Sequence, residues 1–499
     1  MSHLSTPRNG VVRPALSALA LGAAALAAAP SAQALETFFV GARGQAMAGA
    51  NTASVDDTTA QYYNPAAFGF FGMKDTAGEQ LAVDNNNLGR KDWGLGLEAG
   101  GGYRLNGRMA EYADRIAGTD LAKYDTIDNR QEAEDLVTLV HDLGGVDNPG
   151  TGFTASANAG FGVRVGSWGV GARGLFQAAG RVSDLDTQNF STSSNYSSNS
   201  IADKVNEDNN LDVLTQDQFN TLDGSSSLST NDAYAIDDLL KESDIDVDKD
   251  NLDQAVELTV AATDASGTGK DNQTKVTFKG FGVMEVPLSY GHAFNETWSL
   301  GGSLKYMQGR VYGNQVLIFD EDSDEVVAKT EERYEESTNV GVDLGVMGRW
   351  EMFQVGLMGR NLNSPTFEGF RDPETGHKFE DVTLKPQARA GLAFIPLNTL
   401  TLEVDYDLTK NETALKDYHT QFLSGGIEWD AFRFLALRGG AYQNLAEDDI
   451  GVVYTAGLGL NLWAVRVDAA VAWSDEKTEV DGDDTYSEAR ASAEISVDF

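Results

Sequence analysis

Apolar and polar residues alternate one by one along most of the chain after residue 92. The last segment is the clearest case, with one face formed by Ala489, Ala491, Ala493, Ile495, Val497 and Phe499 and the other by Glu488, Arg490, Ser492, Glu494, Ser496 and Asp498. Successive side chains of a strand point to opposite faces, so this period predicts strands with one apolar and one charged face. Leu400–Leu408 and Val465–Trp473 repeat the pattern.

Fourteen segments of this kind are predicted as strands. They are 93–104, 151–164, 167–181, 275–292, 296–312, 336–350, 352–361, 384–395, 398–409, 418–429, 432–444, 450–462, 464–475 and 485–499. Short links and long connections alternate between them without exception. An even strand number with short turns on one side and long loops on the other is typical of a transmembrane barrel and not of a soluble sandwich. We therefore predict an all-β membrane protein, a 14-stranded antiparallel barrel over residues 93–499.

Two connections, 105–150 and 182–274, are long enough to hold structure of their own. Apolar residues at helical spacing predict helices over Gln131–Leu143, Ala233–Lys241 and Asn251–Ala262. The second connection is otherwise acidic and rich in Ser and Asn, which is typical of a mobile, solvated loop. We expect both to be partly helical insertions on the extracellular side.

Residues 1–34 have the features of a secretory signal. Arg8 and Arg13 precede an apolar run, Ala15–Ala29, and Ala32-Gln33-Ala34 is a small-x-small cleavage site. The apolar run is shorter than the roughly 20 residues that a spanning helix needs. We expect cleavage after residue 34 and export of the remainder.

Residues 35–92 separate this signal from the first predicted strand. The part from Glu36 to Phe71 is rich in Gly and Ala, and Gly41, Gly44 and Gly49 are candidates for positive φ. Proline disfavours a helical conformation in the residue before it, so Asn64-Pro65-Ala66 predicts a sharp turn. Counting strands places both barrel termini on the side of the short turns. We expect this segment to start at that mouth and to fold inward as a plug, or hatch.

Composition narrows the possible functions. The chain has no cysteine, which excludes disulfides and thiol or cysteine–zinc chemistry. It carries 76 acidic and 37 basic residues, a net charge of −39, which would repel nucleic acid. No sequence motif connects its few histidines to a nucleophile, so we predict neither enzymatic activity nor a cofactor.

One acidic stretch has the spacing of a calcium-binding loop. Asp246, Asp248, Asp250 and Glu257 match positions 1, 3, 5 and 12 of an EF-hand. Asn251, however, stands where that loop requires glycine. The four carboxylates are therefore candidate metal ligands, and the alternative is a solvated acidic loop that leads into a helix.

Charged residues on the strands' polar faces would line the barrel interior. Examples are Lys305, Asp343, Glu403, Asp405 and Arg466. In a confined lumen such groups either pair with one another and hold the plug in place, or face water-filled space. The sequence leaves both alternatives open.

The N-terminal motifs resemble those of the FadL-type superfamily of outer-membrane barrels. The resemblance rests on Gly41-Ala42-Arg43-Gly44, Met47-Ala48-Gly49-Ala50 and Asn64-Pro65-Ala66, followed by fourteen strands. It implies a hatch with the Asn-Pro-Ala turn inside the barrel. It also implies passive uptake of hydrophobic small molecules, such as long-chain fatty acids, across the outer membrane of a Gram-negative bacterium.

The same resemblance implies a lateral exit at a kink in the third strand. That strand contains Gly169, Gly171 and Gly174, and glycine weakens strand pairing. Unbroken pairing of strands two and three in this region would count against the kink.

Within that superfamily the chain is most similar to the conjugal-transfer, TraF-like outer-membrane proteins. Thr126–Val140, Arg360–Phe367 and Lys385–Asn411 carry this similarity. It implies the alternative of a structural or interaction protein whose acidic loops contact a partner.

The C-terminal Phe499 resembles the terminal aromatic residue that the barrel assembly machinery recognises. The partners expected from these resemblances are that machinery, outer-membrane lipid and lipopolysaccharide, and a hydrophobic ligand. We expect a monomer.

Overall fold

The computed structural model describes residues 35–71, 92–118, 129–183, 185–186, 201–205, 210–226, 228–242, 252–264, 273–317, 333–373, 376–431, 434–462, 464–480 and 483–498. The barrel strands are β1 (Trp93–Asn106), β2 (Gly152–Val165), β3 (Trp168–Ser183), β4 (Lys275–Ala293), β5 (Trp298–Leu317), β6 (Tyr334–Arg349), β7 (Phe353–Arg360), β8 (Gln387–Leu397), β9 (Leu400–Asp407), β10 (Phe422–Ala431), β11 (Leu435–Asn444), β12 (Val452–Leu462), β13 (Val465–Ser474) and β14 (Glu488–Asp498).

These strands form one closed antiparallel barrel in which each strand pairs with its neighbours in sequence. Closure occurs where β1 pairs with β14, for example Leu97 opposite Ile495. All fourteen predicted strands are present, and their ends differ from the prediction by a few residues. The prediction of a 14-stranded antiparallel barrel is therefore confirmed.

The barrel wall is apolar outside and charged inside. On β9, Asp405 is fully buried, whereas its neighbour Val404 is 53% exposed. Large apolar side chains cover the outer face, with Trp168, Trp298 and Trp350 near one rim. Such an outer surface with aromatic residues at its edge is typical of strands that face lipid. None of the helices in the described ranges is long and apolar enough to cross a membrane.

The two ends of the barrel differ. At one end short links join β2 to β3, β4 to β5 and the following strand pairs, and we call this the turn end. The opposite end, which we call the loop end, carries the long connections.

Hydrogen bonds to Asp449 join three of the connections at the loop end. The Tyr418 hydroxyl donates to Asp449 Oδ1 at 2.8 Å, and the backbone N–H of Gly107 donates to Asp449 Oδ2 at 2.9 Å. Burial raises the pKa of both the Asp449 carboxyl and the Tyr418 hydroxyl.

The two insertions extend from the loop end and form several helices. Counting α1 (Ala42–Ala46) and α2 (Ala60–Tyr63) in the N-terminal segment, they are α3 (Met109–Gly118), α4 (Arg130–Asp147), α5 (Gln216–Asp223), α6 (Thr230–Glu242) and α7 (Leu252–Asp264). The three predicted helices correspond to α4, α6 and α7, and the sequence prediction missed α3 and α5. Thr215 begins α5 with a capping box that includes Gln218.

Helices α4 to α7 form a unit with its own hydrophobic core, which we call the helical unit. Val137 of the first insertion packs with Leu222, Ile236 and Leu239 of the second. For the described part of 182–274, the prediction of a mobile, solvated loop outside the predicted helices is wrong, because residues there are buried in this core. The reason is that its apolar residues bury their surface against a helix from another insertion, which a local composition window does not contain.

Candidate functional site: the hatch and the barrel lumen

The described part of the hatch, residues 35–71, runs through the barrel from the loop end to the turn end. Near its start, Glu36 contacts Arg104, two residues before β1 reaches the loop end. At its last described residue, the ring centroid of Phe71 lies 4.2 Å from the guanidinium carbon of Arg164, at the turn end. The segment does not start at the turn-end mouth as expected. Its first residues are instead held deep inside, close to the loop end.

Two of the three hatch glycines adopt the conformation that was predicted for them. Gly41 has φ +75° and Gly49 has φ +83°, where a side chain would be strained. Gly44 lies in α1 without a positive φ, so that expectation is wrong. Because Gly44 has no side chain, there is room beside it for the hydroxyl of Tyr63. This hydroxyl donates to the carbonyl of Val40 at 2.9 Å.

The Asn64-Pro65-Ala66 turn lies fully buried in the lumen. Asn64 is extended, at φ −165° and ψ 102°, and Pro65 begins a short 3₁₀ helix. The Asn64 side chain accepts a hydrogen bond from the Ala66 N–H at 3.1 Å and donates to Val346 O of β6 at 3.1 Å. The turn is thus fastened both to itself and to the wall.

Ion pairs join the hatch to the charged part of the wall. Arg43 makes a two-pronged contact with Glu428 of β10, at 3.0 and 3.1 Å. Arg466 of β13 donates to Asp57 of the hatch at 3.1 Å. Lys305 pairs within the wall, at 3.0 Å from Glu285. Of the two alternatives left open by the sequence, the first applies to these buried groups: they pair, and several of the pairs hold the hatch.

Two carboxylates of β9 bind the hatch backbone directly. Asp405 Oδ2 accepts from the N–H groups of Asn51 and Thr52 at 3.1 and 3.0 Å. Glu403 Oε1 accepts from the Ala53 N–H at 2.7 Å. Hydrogen bonds to charged groups are shorter and stronger than neutral ones, so these bonds fix residues 51–53 against the wall.

A third set of charges surrounds Glu36. Its carboxylate accepts from Arg104 of β1 at 2.9 Å and from Arg490 of β14 at 3.2 Å. Both arginines also donate to the carboxylate of Glu488. That carboxylate accepts a further hydrogen bond from the Tyr442 hydroxyl. All four charged groups are nearly inaccessible to solvent.

Glycines of the wall let the hatch approach the strands closely. In eleven strands an inward glycine has a hatch atom where a Cβ would lie: Gly96, Gly162, Gly169, Gly291, Gly301, Gly345, Gly356, Gly391, Gly426, Gly440 and Gly457. Any larger residue there would collide with the hatch. The lumen at this height is therefore filled by the hatch.

The glycines of β3 have a similar role, which corrects the expected kink. β2 and β3 pair without a break from Val165↔Trp168 to Phe153↔Gly180. A Cβ at Gly169 would lie 2.6 Å from the ring of Phe68, and one at Gly171 would lie 2.9 Å from Gln61 Oε1. These two glycines make room for the hatch, and Gly174 faces outward.

An interruption is present on the other side of β3. Within the described strands, the β3–β4 ladder lacks the two pairs between Val170↔Leu288 and Arg173↔Glu285. Pro287 falls in this gap, and proline has no N–H to donate. Facing Gly171, both polar side-chain atoms of the buried Gln61 lack a hydrogen-bond partner. We call this gap the β3–β4 seam.

Above the hatch, apolar side chains fill one side of the lumen. This lumenal apolar cluster joins wall, loop and hatch residues: Leu35, Phe38, Leu175, Phe281, Val283, Met307, Val311, Phe367, Val382 and Leu384. Phe367 comes from the loop-end hairpin Thr366–Phe367/Val382–Thr383, and its ring centroid is 5.2 Å from that of Phe281. An apolar path thus leads from the loops to the hatch.

Two cavities accompany these features. A groove of about 500 Å³ on the outer wall includes Gly174, Phe176, Met284 and Tyr312, directly above the seam. A cavity of about 20 Å³, enough for one water molecule, lies in the lumen and is lined by Tyr62, Arg360 and Gln387, among others.

Several sequence candidates are not part of this site. Phe499, Asp246, Asp248 and Asp250 lie outside the described residues, and Glu257 is exposed on α7. Among the residues that the structure describes, no group of three or more His, Asp or Glu side chains could hold a metal ion.

Sequence reasoning missed the residues that fasten the hatch. Glu36, Arg43 and Asp57 are charged residues in an otherwise small and apolar segment. Their presence there was a usable signal, because a buried charge requires a partner. Arg466, the partner of Asp57, was among the charges predicted to line the lumen. Arg104 and Glu428, which pair with the other two, were not, because they lie 68 and 385 positions away in the sequence.

Comparison with solved structures finds chains of similar fold at low sequence identity. The chain is similar to the toluene transporter TbuX of Ralstonia pickettii, with 13% identity, 93% of this chain and 99% of that chain covered, and a TM-score of 0.43. It is also similar to the monoaromatic hydrocarbon channel CymD, with 11% identity, 93% and 99% covered, and a TM-score of 0.44. A third similar structure is a FadL homologue of Pseudomonas aeruginosa. It has 11% identity, 94% of this chain and 100% of that chain covered, and a TM-score of 0.39.

No curated protein matches the chain in sequence. A family profile does match, over residues 61–407, from helix α2 of the hatch to the end of β9. The match covers more than half of the chain. The chain therefore belongs to the family described as the TraF protein of the F plasmid transfer operon.

Proposed function

We propose that this protein is a passive channel for hydrophobic small molecules in the outer membrane of a Gram-negative bacterium. The observation that carries the proposal is the lumenal apolar cluster, which connects the loop-end hairpin with the hatch inside a barrel whose inner wall also carries many charged residues. Apolar side chains in a lumen have no role in conducting water or ions, whereas they suit a hydrophobic ligand. The turn end then faces the periplasm and the loop end the exterior.

In this proposal the structure represents the closed state. The ligand enters beside the hairpin that carries Phe367 and Val382 and displaces part of the cluster. It then leaves when the hatch withdraws from the wall, either past the hatch or sideways. The β3–β4 seam is the preferred lateral exit, because two cross-strand pairs are already absent there, at the height of the hatch. The outer groove at Phe176 and Met284 would receive the ligand.

A reversible lock on the hatch tests this function. A Cβ at Gly440 would lie 3.0 Å from Ala48 Cβ, close to the separation of about 3.5–4.5 Å found in disulfides. The natural chain has no cysteine, so Ala48→Cys with Gly440→Cys creates the only pair. We expect oxidation to stop uptake of toluene or oleate by cells that depend on this channel, and reduction to restore it. The reduced form of the same double variant is the matched control, because it carries the same side chain at position 440, and uptake that continues through the oxidised protein would reject a moving hatch.

The helical unit supports a second candidate, contact with a partner cell or assembly. It has its own core and stands beyond the loop end, and the chain belongs to a family described by plasmid transfer. Replacing residues 201–264 by a short Gly-Ser linker would remove α5 to α7. If this role holds, transfer of a conjugative plasmid decreases while ligand uptake continues. Unchanged transfer frequency would eliminate this candidate.

A further inference from the structure

The hatch carries unpaired hydrogen-bonding groups where it faces the β3–β4 seam. Gln61 and Thr58 are each 2% exposed. The amide oxygen and nitrogen of Gln61 and the hydroxyl of Thr58 nevertheless have no hydrogen-bond partner among the described residues. Buried polar groups are almost always paired, so three such atoms on one face of the hatch call for a physical reason. We propose that Gln61 and Thr58 bind the uncharged hydroxyl group of small aromatic ligands, such as phenols, as these pass the seam.

The wall brings the two side chains to neighbouring positions. A Cβ at Gly162 of β2 would lie 3.2 Å from Thr58 Oγ1, and one at Gly171 of β3 would lie 2.9 Å from Gln61 Oε1. Gly162 and Gly171 are directly paired residues of these strands. The Cα atoms of paired residues lie about 4.5–5.5 Å apart, so the hydroxyl and the amide can reach the same ligand group.

Bare backbone and an aromatic ring complete the surroundings of the amide. Gly169 and Gly171 present no side chain to it, and a Cβ at Gly169 would lie 2.9 Å from Gln61 Nε2 and 2.6 Å from the ring of Phe68. The fully buried Phe68 ring thus lies beside the amide. A ligand ring can pack against Phe68 while the hydroxyl on that ring forms a hydrogen bond with the amide. The site therefore suits one apolar ring that carries one polar group.

The same surroundings favour an uncharged ligand over an ionised one. Gln61 and Thr58 carry no charge, and Arg173, two residues beyond Gly171 on β3, already pairs with Glu98 at 2.9 Å. An ionised group would lose its hydration here without gaining a free counter-ion, which is unfavourable. Phenolic hydroxyls lose their proton only at roughly pH 10, so phenols reach this site uncharged.

The site lies on the lateral exit of the proposed function, on which this inference rests. Gly171 is in the interruption of the β3–β4 ladder that also contains Pro287. When the hatch withdraws, a ligand that leaves through this gap passes Gln61. A site built to bind a hydroxyl group discriminates against an analogue that lacks one, because the polar groups of the site then stay unpaired. At low concentration, the channel should therefore pass phenols more readily than the corresponding hydrocarbons.

The test compares p-cresol with toluene, which differ by one hydroxyl group. Gln61→Met removes the amide and keeps the length of the side chain. The measurement is the initial uptake of each radiolabelled compound, at equal low concentration, by cells that depend on this channel and contain equal amounts of each variant. We expect the ratio of p-cresol uptake to toluene uptake to decrease about tenfold. Thr58→Val removes one hydroxyl and should decrease the same ratio about threefold.

Gln45→Met is the matched control. Gln45 is an equally buried glutamine of the hatch, but its amide donates to the carbonyl of Ala470 of β13 at 3.4 Å, on another side of the barrel. This variant should keep the wild-type ratio of p-cresol to toluene uptake. An equal decrease in both glutamine variants would mean that the ratio follows the stability of the hatch, and would reject the hydroxyl site.

Failure of the site and failure of the channel give different results. If Gln61→Met keeps the wild-type ratio, water and not a ligand satisfies the amide, and the hydroxyl site is wrong while the channel function stands. If neither compound enters through the wild-type protein, the channel function is rejected and this inference with it.

Discussion

Arg43 of the hatch and Glu428 of β10 form a two-pronged ion pair at 3.0 and 3.1 Å, fully buried inside the barrel. Their positions differ by 385 residues in the sequence. Glu428 also forms an ion pair with Arg438 of β11. Arg438 forms a second ion pair, with Asp468 of β13. The hatch is thus part of a charge network that spans neighbouring strands.

Removing this pair should loosen the hatch. Arg43→Gln leaves a buried carboxylate with one fewer cation, at a cost of about 3 kcal/mol in the stability of the docked hatch. The rate at which a maleimide labels a cysteine placed at Ala48, which is buried in the natural chain, measures this change. Arg310→Gln removes an exposed pair with Glu336 on the outer wall and should leave the labelling rate unchanged. Equal labelling in both variants would mean that the Arg43 pair does not hold the hatch.

Enlarging a wall glycine should displace the hatch without touching a charge. A side chain at Gly301 would collide with the backbone of Pro65, so Gly301→Val should cost about 1–3 kcal/mol and open a leak. Sensitivity of cells to vancomycin, which normally cannot cross the outer membrane, reports the leak. The control is Gly425→Ala, because nothing lies within 4 Å of a Cβ at that position. A Gly301→Val strain as resistant as the wild type would contradict the tight fit described above.

The β3–β4 seam should become tighter when its proline is replaced. Pro287→Ala restores an N–H that can pair with β3, which adds about 0.5–1.5 kcal/mol to the ladder. If ligand leaves sideways here, uptake of toluene becomes slower while its binding to purified protein is unchanged. Pro396→Ala, in β8 on another side of the barrel, is the control. Normal uptake in Pro287→Ala would direct the exit path past the hatch instead.

The lumenal apolar cluster should determine ligand affinity. Phe281→Ala removes a ring that is 3% exposed and packs on Phe367, and a deletion of this kind costs about 3–5 kcal/mol when the site cannot collapse. We expect weaker binding of methyl oleate by titration. Phe353→Ala, on the lipid-facing side of β7 and outside the outer groove, should bind as the wild type does. Identical affinities in the two variants would exclude the cluster as the ligand site.

Much of the fold could be predicted because a barrel wall has a strict local rule. Along β9 and β14, residues that face lipid alternate with residues that face the lumen, so the period of two is visible in any short window. Turn lengths are also local, and their alternation indicated the number of strands and the shared side of the termini. The Asn64-Pro65-Ala66 turn followed from the backbone restriction that proline imposes.

Where the prediction failed, distant residues decided the outcome. Gly171 was interpreted as a weak point in a strand, whereas it makes room for Gln61. The stretches of 182–274 between the predicted helices were interpreted as a solvated loop, whereas Ile201, Val205 and Leu214 are buried in one core with Val137 of the other insertion. In both cases the prediction used a short stretch of sequence around the residue, and that stretch does not contain the packing partner.

By itself, the sequence determined the number of strands, the face on which each side chain lies and the position of the hatch turn, since these depend on local periodicity and backbone geometry. Only the tertiary structure decided which charges pair, that Glu36 reaches the loop end, and that glycines of eleven strands close around the hatch. These features arise when a closed barrel brings strands from across the whole chain around one segment, and no local pattern encodes that meeting.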